Sequence, residues 1–122
     1  TDFETFQTTL NTLLDRASQL CPVLFVGMVP IDPTKMPFLD CLYYNHADQM
    51  RYKEATRLAC QQRHIPYLDI FTRWQNRGTT WCQAQLLDDG LHPNVSGYQA
   101  LLDEVLGWEA LHQHVGAIAS GI

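Results

Sequence analysis

The chain has 122 residues, 46% of them hydrophobic and 17% charged, with a formal net charge of −5; that is room for one domain at most, and a composition that excludes a disordered chain. Eight Lys and Arg without a basic cluster disfavour a nucleic-acid backbone or an anionic membrane surface as partner. No apolar run approaches the roughly 20 residues of a membrane-spanning helix, which predicts no transmembrane segment.

Thr1 and Glu4 have the spacing of a capping box, and Phe3, Phe6, Leu10, Leu13, Leu14, Ala17 and Leu20 recur at helical intervals. They predict a first helix, stopped by Cys21-Pro22. Val23 to Val29 is an uninterrupted apolar run of strand length, the pattern of a parallel strand buried on both faces. Pro30, Pro33 and Pro37 mark a loop. Asn45 with Asp48 predicts the cap of a second helix running to about Arg63, with Ala55, Leu58 and Ala59 inward and the charges outward. His64-Ile65-Pro66 ends it. Residues 65–70 read as a second strand and Phe71 to Arg77 as a short helical turn. A last helix starts near Val95, with Val95, Tyr98, Leu101, Leu102, Val105 and Leu106 on one face, and reaches His112 and His114.

Helix, strand, helix, strand, helix is a crossover unit whose two strands lie parallel in one sheet, an α/β arrangement. Sheets usually carry about four to six strands, and two alone leave edges and apolar faces uncovered. A partner segment is therefore expected, from an earlier part of the same domain or from a complementary chain.

The stretch that carries chemistry is Asp89-Gly90-Leu91-His92-Pro93, followed by Asn94-Val95-Ser96-Gly97-Tyr98. A histidine acting as general base needs a partner on its other ring nitrogen, to fix the tautomer and stabilise the imidazolium. Asp89 is near enough to be that partner. Asp-Gly favours a tight reversal, and Pro93 suits the first position of the helix that follows. The same residues also describe an ordinary turn into an ordinary helix.

D-x-x-H-P, then a short run containing Gly-Tyr and an amphipathic helix, resembles the last signature block of the SGNH (GDSL-type) hydrolases, a family of serine esterases, lipases and acylhydrolases. The resemblance extends upstream through Pro22 to Pro30, the helix near Asn45 and the strand Ile65 to Ile70. It implies a three-layer α/β/α, flavodoxin-like fold, with residues 1–122 as the C-terminal part of a single domain. It also implies that Asp89 orients His92 and that His92 activates a serine. The family's nucleophile lies in a Gly-Asp-Ser block and its oxyanion donors in two further blocks; none of these occurs here. Ser18, Ser96 and Ser120 neither follow Gly-Asp nor sit in G-x-S-x-G. The implied activity is ester hydrolysis through an acyl-enzyme, on a small-molecule or lipid ester, with no cofactor and no metal. This chain alone is expected to be inactive.

The alternative is a non-catalytic binding module in which Asp89 and His92 only build a turn. A metal-dependent hydrolase is disfavoured because no further ligands stand at motif spacing. Cys21, Cys41, Cys60 and Cys82 contain no C-x-x-C and read as buried free thiols. Phe38, Tyr43 and Tyr44 could wall an acyl pocket, although filler is the plainer reading. Asp69, at the end of a strand, is expected to satisfy loop amides. His112 and His114 suit a helix C-terminus, His46 and His64 need no function, and Trp74, Trp81 and Trp108 read as packing. A beginning at Thr1 leaves localisation open.

Overall fold

The structure, a computed structural model, describes residues 2–37, 39 and 45–120. In chain order these form helix α1 (Asp2–Leu20), strand β1 (Phe25–Val26), helix α2 (His46–Gln62), strand β2 (Tyr67–Leu68), and the short helices α3 (Ile70–Gln75) and α4 (Thr79–Ala84). Helices α5 (Val95–Leu106) and α6 (Glu109–Ser120) complete the order. A 3-10 turn, Pro33–Lys35, lies in the loop after β1.

The sheet is parallel, with Phe25 opposite Tyr67 and Val26 opposite Leu68. Side chains alternate along a strand, so these two pairs face opposite sides. Phe25 and Tyr67 pack with Leu10, Leu14, Ala59, Cys60 and Ile65, the cluster under α1 and α2. Leu68 joins Ile70, Trp74 and Cys82, against which Leu101, Val105 and Trp108 pack. Helices therefore cover both faces of the sheet, as in a partial α/β/α fold. The crossover from β1 through α2 to β2 is the predicted one, and the cap on α2 is formed as read: Asn45 Oδ1 accepts the Asp48 N–H at 2.7 Å.

Several expectations are corrected. Val26 is 44% exposed rather than buried on both faces, because β1 is an edge strand. The N–H groups of Phe25 and Gly27 donate to Pro66 and Leu68 of the β2 side, so alternation turns those of Val26 to the other edge, where no described strand pairs. The inward residues of α2 are Lys53, Thr56, Ala59 and Cys60, while Leu58 is exposed. Lys53 is tolerated inside because Glu54 and Asp69 hold its ammonium at 2.7 and 3.2 Å. On α1 the buried stripe narrows to Leu10 and Leu14, leaving Leu13 and Leu20 exposed. Asp69 belongs to no strand. It caps α3, accepting from Thr72 N–H, as an aspartate satisfying loop amides.

Pro93 is not the first helical residue. It pairs with Leu86 in an isolated antiparallel bridge, and Asn94 takes the cap of α5. The predicted last helix is interrupted at Gly107 and Trp108, which separate α5 from α6. On α5 only Leu101 and Val105 of the expected face reach the core; Val95, Tyr98, Leu102 and Leu106 form an exposed apolar stripe. Cys60 and Cys82 are buried free thiols, but Cys21 is exposed. The expected Thr1 cap and the residues Phe38, Cys41, Tyr43 and Tyr44 lie outside the described residues.

Candidate active site

After α4 the chain makes the tight reversal that Asp-Gly predicts. Gly90 N–H donates to Leu87 C=O at 3.0 Å, and Gly90 takes the left-handed φ of +71° that favours glycine. Leu87 N–H then donates to His92 C=O at 2.8 Å and Asn94 N–H to Gln85 C=O at 2.9 Å, closing the loop back onto α4. Asn94 finishes the corner: its Oδ1 accepts Gly97 N–H at 2.9 Å, and its Nδ2 donates to Ala84 C=O at 2.9 Å and Leu86 C=O at 3.2 Å. Gly97 permits this closeness, since a Cβ there would stand 2.2 Å from Gln85 O.

Within this frame Asp89 and His92 meet. Asp89 Oδ1 accepts the N–H of Leu91 at 2.8 Å and of His92 at 3.0 Å, and Oδ2 contacts His92 Nδ1 at 2.5 Å. An ionised carboxylate only accepts, so Nδ1 carries the hydrogen and a neutral ring has its basic lone pair on Nε2. The bonds to the amide and ring of His92, together with that from Leu91 N–H, lower the Asp89 pKa from 3.8 to about 2. The carboxylate is thus ionised at neutral pH and holds a His92 side chain that is 59% exposed. The arrangement can accept a proton at Nε2 and stabilise the resulting imidazolium.

The pair stands beyond the carboxyl ends of the strands, the usual position for ligands in open parallel sheets. Asp32, in the loop after β1, donates its N–H to Gly90 C=O at 2.9 Å. Beside this contact a cavity of about 290 Å³ opens between that loop and α4, lined by Ile31, Asp32, Thr34, Gln75, Cys82 and Leu86 among others. Its Asp32 is buried, and its carboxylate pKa is lowered against the opposing pull of desolvation by bonds from Thr34 and Gln83. Sequence reading passed over Asp32; the signal was Asp32-Pro33-Thr34, an aspartate whose side chain accepts from Thr34 N–H at 3.0 Å.

The other candidates stay apart from the pair. Ser96 Oγ donates to Gln85 Oε1 at 2.6 Å. Ser18 lies near Leu20 to Leu24, at the opposite end of the strands. Asp69 serves α3 and Lys53. His46 bonds the loop after β1, His64 occupies a left-handed position after α2, and His112 contacts Leu106 C=O. Trp74 is buried in the core, with Trp81 and Trp108 packed on it or near it. Among the described residues no group of three or more His, Cys, Asp or Glu is arranged to hold a metal ion, and no helix is long and apolar enough to cross a membrane.

No curated protein matches the chain, but the family model described as the GDSL-like lipase/acylhydrolase family matches residues 1–100, a span that includes the whole Asp89–His92 turn and both strands. The chain belongs to the GDSL-like lipase/acylhydrolase family.

Proposed function

We propose that this chain supplies the Asp-His part of a catalytic triad in a serine acyl hydrolase, with His92 as general base and acid and Asp89 as its orienting carboxylate. The observation that carries the reading is the 2.5 Å contact from Asp89 Oδ2 to His92 Nδ1 on a turn closed by backbone bonds. In the reaction a serine Oγ attacks the ester carbonyl carbon as His92 Nε2 takes its proton. The tetrahedral intermediate collapses, the C–O bond breaks, and His92 gives that proton to the leaving alkoxide. Water then attacks the acyl-enzyme, His92 again taking and returning a proton, to release the acid and regenerate the serine. No cofactor enters this scheme.

The serine and the oxyanion donors come from a further segment of the same domain or from a complementary chain. The open edge of β1 and the exposed apolar stripe of Tyr98, Leu102 and Leu106 on α5 support such a partner. The ester substrate is a small molecule or a lipid, and the chain by itself is inactive. A fluorophosphonate, which traps activated serines, tests this by intact mass. The 14.0 kDa chain is expected to remain unlabelled, whereas the longer protein or the assembled pair gains one adduct and His92→Ala abolishes both labelling and turnover. Unchanged turnover in His92→Ala would end the assignment.

The same apolar stripe favours a second reading, a non-catalytic module that binds a partner through α5. A complete protein without esterase activity, in which His92→Ala leaves partner binding intact, is the result that reading requires.

A further inference from the structure

The loop after β1 is buried at Pro30, Ile31 and Asp32, yet it belongs to no sheet. Its backbone groups are satisfied by side chains of α2. Gln49 Oε1 accepts Ile31 N–H at 2.9 Å, Gln49 Nε2 donates to Val29 C=O at 2.9 Å, and His46 Nε2 donates to Ile31 C=O at 2.8 Å. A carboxamide carries the donor and acceptor of a peptide group, so Gln49 gives this loop the pairing that a neighbouring strand would give.

The next residue extends the connection. Asp32 N–H donates to Gly90 C=O, and Gly90 sits so closely on this loop that a Cβ would stand 2.7 Å from Lys35 Cβ and 3.0 Å from Asp32 O. Gly90 follows Asp89 directly. A continuous path of short bonds thus runs from Gln49, through Val29 to Asp32, into the turn that pairs Asp89 with His92.

We infer that Gln49 is a positioning residue for the Asp89–His92 pair: through the loop it holds, it sets where the His92 ring stands, without touching substrate. The inference rests on the proposed role of His92 as base. Side chains that merely fill space at position 49 would leave Val29 C=O and Ile31 N–H without partners in a buried loop, and the loop would shift to recover them. The Gly90 turn moves with it.

Gln49→Leu removes both bonds at similar volume, and Gln49→Glu keeps the acceptor for Ile31 N–H while losing the donor to Val29 C=O. Two readouts report the pair itself by NMR: the low-field proton on His92 Nδ1 and the titration of the Asp89 carboxyl. In Gln49→Leu the low-field proton is expected to broaden or move upfield, and the Asp89 midpoint to rise by about half a unit or more toward its ordinary value. In the complete hydrolase kcat should fall roughly tenfold to a hundredfold, as for a catalytic group displaced by up to an ångström, with KM nearly unchanged. Gln49→Glu should show the smaller effect, and it carries the test if the leucine variant does not fold. A variant that is less stable but keeps the low-field proton, the Asp89 titration and kcat of the parent would overturn the inference. The underlying reading fails separately, and is recognised by Asp89→Asn leaving the low-field proton in place or His92→Ala leaving turnover unchanged.

Discussion

Asp89 grips His92 twice, accepting the backbone N–H on one carboxylate oxygen and contacting the ring nitrogen Nδ1 with the other. The backbone bond fixes where the imidazole starts and the ring bond fixes how it is turned. Asp89→Asn preserves an acceptor for the backbone but presents one amide group that can no longer stabilise an imidazolium. If His92 and Asp89 act in a triad as proposed, kcat should fall by about 10⁴, the loss found for the aspartate of a serine triad. A loss under about tenfold would show that the carboxylate only shapes the turn.

The same contact predicts an acid response. The Asp89 pKa is lowered from 3.8 to about 2, so its contribution to stability is fully present above the unfolded value and is lost as pH falls through the folded one. Across that window the unfolded chain binds the proton first. Because the pair faces solvent, the contribution is on the order of 1 kcal/mol. Glu54, lowered from 4.5 to about 2 by Arg57 and then Lys53, titrates in the same range. The difference between parent and Asp89→Asn isolates the Asp89 part. Urea unfolding should show that difference shrinking between about pH 5 and about pH 2.

Gly90 and Gly78 separate backbone strain from crowding. Both have positive φ, +71° and +99°, but a Cβ at Gly78 meets nothing within 4 Å, whereas one at Gly90 meets Lys35 Cβ at 2.7 Å. Gly78→Ala, at φ +99° and ψ 157°, a region essentially reserved to glycine, should cost about 1–3 kcal/mol from the backbone alone. Gly90→Ala should cost about 2–4 kcal/mol, adding the displaced loop, and should perturb the His92 ring signals. Equal losses in denaturant melts would show that the loop yields to the methyl group.

What was legible in the chain was what local rules decide. The Asn45 cap and the Asp89–Gly90 reversal depend on neighbours within a few residues, and the crossover, which joins Phe25 to Tyr67, follows from the order of strand-length and helical apolar patterns. The Asp89–His92 pair was legible because it spans three residues. Burial was read less well, since it depends on what lies across the sheet. Val26 and the α5 stripe have core-like patterns but stand exposed, and Lys53 looks like surface but is buried by partners at positions 54 and 69. Gln49 gave no signal at all, because its partners, Val29 and Ile31, lie 20 and 18 residues away. Pro93 misled because Asn94 offers the stronger cap, holding α5 and α4 together.

The Lys53 ammonium, buried between Asp69 and Glu54, predicts unequal costs for its two ends. Lys53→Met removes a buried charge and leaves apolar volume in its place. Asp69 still accepts from Thr72 N–H and Oγ1, and Glu54 still pairs with Arg57. The loss should stay below about 2 kcal/mol. Asp69→Ala both uncaps α3 and leaves the ammonium to Glu54 alone, which should cost about 2–4 kcal/mol. Thermal unfolding that ranks the lysine variant as the worse would show that the ion pair, rather than the cap, holds this corner.

His64 ends α2 with a φ of +56°, the left-handed position that glycine fills without a Cβ penalty. Its N–H donates to Gln61 C=O and the following Ile65 N–H to Cys60 C=O at 2.9 Å, so the backbone bonds do not depend on the imidazole. His64→Gly should therefore raise stability by up to about 1 kcal/mol, the relief of left-handed strain less the extra freedom of the unfolded chain. His64→Val, β-branched at the same position, should lower it by more than that. A glycine variant less stable than the parent would show that the imidazole itself contributes a contact worth more than the strain.

The exposed edge of β1 makes the last prediction. Val26 turns its backbone groups away from β2 and leaves its side chain 44% exposed, with no charge between Val23 and Val29 to discourage pairing. Such an edge recruits another strand. The isolated chain should self-associate, and Val26→Lys, which places a charge on that edge, should reduce the association in light scattering. On the proposed reading, in which a serine-bearing segment pairs along this edge, the same substitution should also lower the yield of folded, active hydrolase. Gln62→Lys, at an exposed position on α2, serves as the control for added charge. A Val26→Lys protein as stable and as active as that control would mean that no strand covers this edge, and that the serine reaches His92 from another direction.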